Sequence, residues 1–107
     1  MASVPSALQI CLVRVRLGEA YYPRPCVVLT VEGTVLRLAA ISSQLDLYRP
    51  REHFLIRQDD PDFAATGLET ESYVLATPLF RADASRVIAV KGILTGRLAQ
   101  RFLDWIG

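Results

Sequence analysis

The sequence predicts a mainly β domain. The expected form is a small, closed or nearly closed barrel of five to seven short antiparallel strands, with one C-terminal helix. Three observations predict it. The first two-thirds of the chain breaks into short apolar or alternating runs separated by Gly, Pro and polar turns. The final dozen residues change to a helical period. The 107 residues, 51% of them apolar, suit one compact domain over 1–107. A barrel is the natural closure for so few strands, because it removes exposed sheet edges.

The elements follow in order. Gln9–Leu17 alternates in part, with Arg14 and Arg16 on one face and Val13, Val15 and Leu17 on the other, as a half-buried strand does. Gly18–Pro25 holds Tyr21, Tyr22, Pro23 and Pro25 and reads as a loop. Cys26–Val31 is a continuous apolar run, hence a buried strand. Glu32-Gly33 links it to Thr34–Ile41 as a tight hairpin. Ser42–Arg51, polar and containing Pro50, is a second loop, and His53–Arg57 is a short strand. Asp59–Thr70 is a connection with at most one helical turn. Ser72–Thr77 and Arg86–Val90 are further strands. Thr95 then caps a helix whose apolar face is Leu98, Phe102, Leu103 and Ile106. Leu94 packs back on its first turn, and Gly107 suits its end.

Composition excludes several classes. A chain this apolar, with 21% charged residues, has ample surface to bury and is not disordered. Its longest uncharged stretch, Met1–Val13, is short of the roughly 20 apolar residues that a membrane span needs. That stretch has no Lys or Arg before its apolar part, so it does not read as a signal peptide, and the expected location is the cytoplasm. Cys11 and Cys26 sit in apolar runs and read as reduced, buried thiols. No metal-ligand spacing is present, and no metal or cofactor is expected. The lone histidine, His53, reads as a solvated or hydrogen-bonded side chain, and Asp59-Asp60-Pro61-Asp62 as a polar turn.

The net charge of +1 is uneven. Residues 1–57 carry seven Arg and four acids, for +3, whereas residues 58–107 carry four Arg, one Lys and seven acids, for −2. The N-terminal half is therefore the better candidate for an anionic partner.

Several segments in register resemble the PemK/MazF family, the toxin components of bacterial toxin–antitoxin systems. Arg24-Pro25-Cys26-Val27-Val28-Leu29 is similar to the family's Arg-Pro-x-Val-Val-Leu. Ala39-Ala40-Ile41-Ser42-Ser43-Gln44 resembles its strand end bearing a Thr or Ser. Gly67-Leu68 followed by Ser72-Tyr73-Val74 resembles its Gly-Leu-x-x-x-Ser-x-Val segment. Ile88 to Ile106, with Gly92 and Leu94, is similar to its closing segment. Three differences stand beside these. Leu8-Gln9-Ile10 stands where the family usually opens its first strand with Gly-Asp. Leu17–Pro23 is shorter than the family's first loop, and Val74–Thr77 lacks the Arg and Asp that some members carry there.

The resemblance implies an SH3-like barrel, a symmetric homodimer, and a metal-free endoribonuclease that cuts single-stranded RNA. It further implies that a cognate antitoxin protein blocks the site. By position, Arg24 matches the family's catalytic Arg and Ser42 its catalytic Thr. Tyr21, Tyr22, Ser43 and Gln44 are the candidate substrate-binding residues. The two tyrosines read equally as base-stacking platforms or as a cover for the barrel or a dimer interface. Without the resemblance, Arg24 would read as a surface residue and Ser42-Ser43 as a strand end.

The chemistry suits these residue types. RNA carries its own nucleophile, the 2′-hydroxyl, so the protein must stabilise charge on the transferring phosphoryl. Arg24 offers a permanent charge and a fork matched to two phosphate oxygens. Ser42 offers a hydroxyl donor. Counted outward from the Glu32-Gly33 turn, Arg24 falls roughly opposite Ile41, within reach of Ser42. No general base is evident.

Two alternatives keep the fold and change the function. A related toxin family with the same barrel poisons DNA gyrase and uses a Trp near its C terminus. Here Trp105 lies in the closing helix, where a surface-covering role is the plainer reading. The barrel could also bind RNA without cutting it.

Overall fold

A computed structural model describes residues 4–47 and 52–107. Pro50 and the end of the expected Ser42–Arg51 loop lie outside the described residues. Six strands form one antiparallel sheet. They are β1 (Gln9–Leu17), β2 (Ala20–Glu32), β3 (Val35–Ser42), β4 (Phe54–Ile56), β5 (Ser72–Asp83) and β6 (Val87–Ile93), followed by the helix α1 (Gly96–Ile106). The spatial order is β4-β5-β3-β2-β1-β6. No helix among the described residues is long and apolar enough to cross a membrane.

The sheet curls into a half-barrel. Register shifts between Ile10 and Cys11, Leu12 and Val13, Val28 and Thr30, and Ala39 and Ile41 mark where it bends. Each such irregularity adds local twist and turns the strand. The curl brings β1 against β5, although β3 and β2 separate them in the sheet.

Two apolar clusters fill the two faces. Cys11, Val13, Cys26, Val28, Leu38 and Leu75 belong to one. Ile10, Val27, Ile41 and Val74 belong to the other, beneath α1. The alternation along β1 and β2 assigns neighbouring residues to opposite clusters, as a pleated strand must. In α1 the buried residues are Leu98 and Phe102, with Ala99 and Trp105 packed beside them. Phe54 meets the ring of Phe102 edge-on at 5.3 Å and lies 5.6 Å from Trp105. Leu103 and Ile106, expected on the buried face, are over 40% exposed. Trp105, one turn beyond Phe102, takes the inward position instead.

Three other expectations need correction. First, β2 begins at Ala20, so the stretch read as a loop is strand. Arg16 pairs with Tyr21, Val15 with Tyr22 and Leu12 with Pro25. The prolines are tolerated because pairing of β2 with β3 starts only at Cys26, so no ladder bond is lost on that side. Second, β5 runs on to Asp83, through a cis Thr77-Pro78 bond. Residues 75–78 bulge where Ala39 pairs with Leu79 and Ile41 with Val74. Third, Thr95 stands at the N-cap of α1, but its hydroxyl caps no helix amide. The Asp62 carboxylate does so instead, accepting from the Leu98 amide at 3.3 Å and from the Thr95 hydroxyl at 3.5 Å.

Candidate functional site

The site is built where β2 and β3 part. Their hairpin closes at Gly33-Thr34, with Glu32 paired to Val35 and Gly33 at a φ of 60° that primed turns require. Leu29 is the extra residue of a bulge, since Val28 pairs with Leu38 and Thr30 with Arg37. The bulge moves the register by one. Cys26 pairs with Ala40, the last pair of the ladder, and the same register continued two steps outward puts Arg24 on the line of Ser42. The count from a Glu32-Gly33 turn gives Ile41; the turn lies one residue further on, and the bulge takes back half of that two-place shift. Pro25 has no N–H to extend the ladder, so the strands separate there.

The gap is a cavity of about 340 Å³. Arg24 and Pro25 line it from β2, Ile41 and Ser42 from β3, and Ser43 and Gln44 from the segment beyond. The rest of its lining is Leu68, Glu69, Thr70, Ser72 and Lys91. Four of the six expected site residues, Arg24, Ser42, Ser43 and Gln44, thus meet in one place. Tyr21 and Tyr22 do not line it. Tyr21 lies under Arg86, whose guanidinium carbon is 4.2 Å from the ring centroid and whose Nη2 lies 3.5 Å from the phenol oxygen. Tyr22 is about half exposed.

Ser42 is nearly buried, and its Oγ accepts the Gln44 amide at 3.2 Å. That bond fixes the hydroxyl oxygen and leaves its proton for a ligand. Arg24 is held through its backbone, where its carbonyl accepts the Cys26 thiol at 3.5 Å. Burial pushes the Cys26 thiol up to about 12; neighbouring Cys11 adds to the rise and the Arg24 charge opposes it. Cys26 is therefore a thiol, not a thiolate, and supplies no nucleophile at neutral pH.

This part of the wall carries the residues that sequence reasoning did not single out, Glu69, Thr70 and Lys91. Two glycines of the quoted motifs explain its placement. A β-carbon on Gly67 would lie 2.1 Å from the Lys91 carbonyl oxygen. One on Gly92 would lie 2.3 Å from the Ala65 carbonyl oxygen. The backbone of residues 65–67 thus presses directly onto β6. The 3₁₀ turn Ala64–Thr66 is fastened by the Thr66 hydroxyl, which donates to the Phe63 carbonyl at 2.6 Å and accepts the Leu68 amide. The wall is a fixed surface, and the signal for it lay in the glycines rather than in the charged residues.

His53 takes no part. It is 9% exposed, and its Nδ1 accepts the Ala76 amide at 3.0 Å. Asp60 lies in a turn, as expected of its segment, accepting the Asp62 amide and pairing with Arg101. Among the described residues no cluster of His, Cys, Asp and Glu is arranged to hold a metal ion. The chain matches no protein-family model and no curated protein.

Proposed function

We propose that this chain is a metal-independent endoribonuclease of the PemK/MazF kind, with an SH3-like barrel and a homodimeric assembly, acting in the cytoplasm as the toxin of a toxin–antitoxin pair. The observation that carries the reading is the meeting of Arg24 and Ser42, with Ser43 and Gln44, around one cavity. Its volume is at the lower end of the roughly 300–1,000 Å³ typical of ligand sites, a size suited to part of one nucleotide.

In this reading a phosphodiester of single-stranded RNA enters between the parted strands. The Arg24 guanidinium forks onto its two free oxygens, and the Ser42 hydroxyl donates to one of them. Both interactions strengthen as charge gathers on the phosphoryl group, which is how they lower the barrier. The adjacent 2′-hydroxyl is the nucleophile, so no metal-activated water is needed. A cognate antitoxin would act by occupying the same cavity.

The test is incubation of the purified protein with long single-stranded RNA in chelator. Wild type is expected to cut it. Arg24→Ala and Ser42→Ala are each expected to lose about 10²–10³-fold, the usual cost of removing one charge-stabilising donor. Equal cleavage by wild type and Arg24→Ala overturns the reading.

A second reading, a relative that poisons a protein target without cutting RNA, is favoured by one feature. An apolar cavity of about 390 Å³ is lined by Leu29, Leu79, Trp105 and Ile106. Growth inhibition that survives Arg24→Ala but not Ile106→Asp would select it.

A further inference from the structure

We propose that Glu69 and Lys91 are the proton-transfer pair of the Arg24–Ser42 cavity, Glu69 as base and Lys91 as acid; the inference rests on the endoribonuclease reading. Cleavage by a 2′-hydroxyl needs one group to take that hydroxyl's proton and another to protonate the departing 5′-oxygen. Arg24 does neither, because a guanidinium keeps its proton. The Ser42 hydroxyl is a donor whose oxygen is already engaged by Gln44. His53 does not line the cavity, and its Nδ1 is occupied by the Ala76 amide. Among the lining residues Glu69 is the one carboxylate and Lys91 the one amine.

Their placement is built into the backbone. Glu69 lies two residues after Gly67, and Lys91 directly precedes Gly92. Each glycine sits in a crossing too tight for a β-carbon. The two crossings clamp residues 65–67, just ahead of Glu69, onto the strand bearing Lys91. Both side chains line the cavity that Arg24 and Ser42 also line.

The step balances without any further reactant. The 2′-oxygen bonds to phosphorus as its proton passes to the Glu69 carboxylate. The bond from phosphorus to the 5′-oxygen breaks, and the Lys91 ammonium gives that oxygen a proton. One fragment ends in a 2′,3′-cyclic phosphate and the other in a 5′-hydroxyl. Glu69 then releases its proton to water and Lys91 regains one.

The test is single-turnover cleavage of two oligonucleotides across pH, one ordinary and one with sulfur in place of the bridging 5′-oxygen. A thiolate departs without needing a proton, so the second substrate bypasses the acid. Both side chains are exposed, and circular dichroism checks that the variants fold. Glu69→Gln should cut both substrates about 10²-fold or more slowly and lose the rise in rate from low pH. Lys91→Met should show a similar loss on the oxygen substrate and return to within about threefold of wild type on the sulfur one. A purely structural defect would slow both alike. Either variant within about threefold of wild type on the oxygen substrate overturns the pair, as does failure of sulfur to rescue Lys91→Met. A wild type that depends on Arg24 but on neither Glu69 nor Lys91 overturns the pair alone; an inert wild type overturns the endoribonuclease reading with it.

Discussion

Gly67 crosses Lys91 so closely that a β-carbon on the glycine would stand 2.1 Å from the lysine's carbonyl oxygen. Gly67 also has a φ of 70°, in the left-handed region. Gly67→Ala therefore meets two penalties. The conformation alone costs about 1–2 kcal/mol for a residue with a side chain, and the backbone clash forces the wall away from β6. The expected result is an unfolding free energy, from urea titration, lowered by at least that amount, together with loss of the proposed RNA cleavage. Unchanged stability in Gly67→Ala would show that the crossing is looser than described.

The start of α1 is capped from a distance. Asp62, not Thr95, accepts the Leu98 amide, and its negative charge lies near the positive end of the helix dipole. Asp62→Ala is expected to cost about 0.5–2 kcal/mol, the usual range for a lost N-cap. Thr95→Ala should cost less, because its hydroxyl reaches the helix only through Asp62. Thermal melts of the two variants give the order, and the reverse order would contradict the assignment.

Asp83 ties two corners of the sheet together. Its carboxylate accepts the Thr34 hydroxyl at 2.7 Å and the Ser85 amide at 2.9 Å. These bonds, first those from Ser85 and then that from Thr34, hold its carboxyl down at about 2 against an ordinary 3.8. A depressed folded-state value means that the unfolded chain takes up the proton first. The stabilisation is thus present above pH 3.8 and is lost as pH falls through about 2. The stability difference between wild type and Asp83→Asn should narrow over that window, measured by urea titration at several pH values. Because the carboxylate is exposed, added salt should weaken the effect.

The two thiols should be silent. Cys11 and Cys26 face each other across β1 and β2, and both are buried. Burial raises both, Cys26 up to about 12. A disulfide-exchange reagent should react with neither in the native protein, and with both on unfolding in urea. Fast labelling of the folded chain would show that this part of the barrel opens readily.

Much of this architecture could be read from residue order. The run Cys26–Leu29, the Gly33 turn and the helical period of Leu98 and Phe102 each impose one local structure, and each is found there. Arg24 and Ser42 could be brought together because a hairpin is a counting device. What escaped reading depended on distant partners. Nothing near Asp62 in sequence says that it caps a helix more than thirty residues later. Tyr21-Tyr22-Pro23 looks like a loop because the free side that tolerates its prolines is set by where β3 stops pairing. Glu69 and Lys91 line one cavity only because residues 65–67 fold over β6, which the glycines hinted at but did not locate.

The bulge at Leu29 has a consequence for how such a site could change. The pairs nearest the turn, Thr30 with Arg37 and Val31 with Leu36, would in an unbroken ladder carry Cys26 opposite Ile41 and Arg24 onto the line of Ser43. One surplus residue in β2 holds Cys26 on Ala40 instead and so puts Arg24 on the line of Ser42. The composition of the cavity is thus recorded partly as spacing. Straightening the strand with every residue kept would change which side chain answers Arg24, with neither partner mutated.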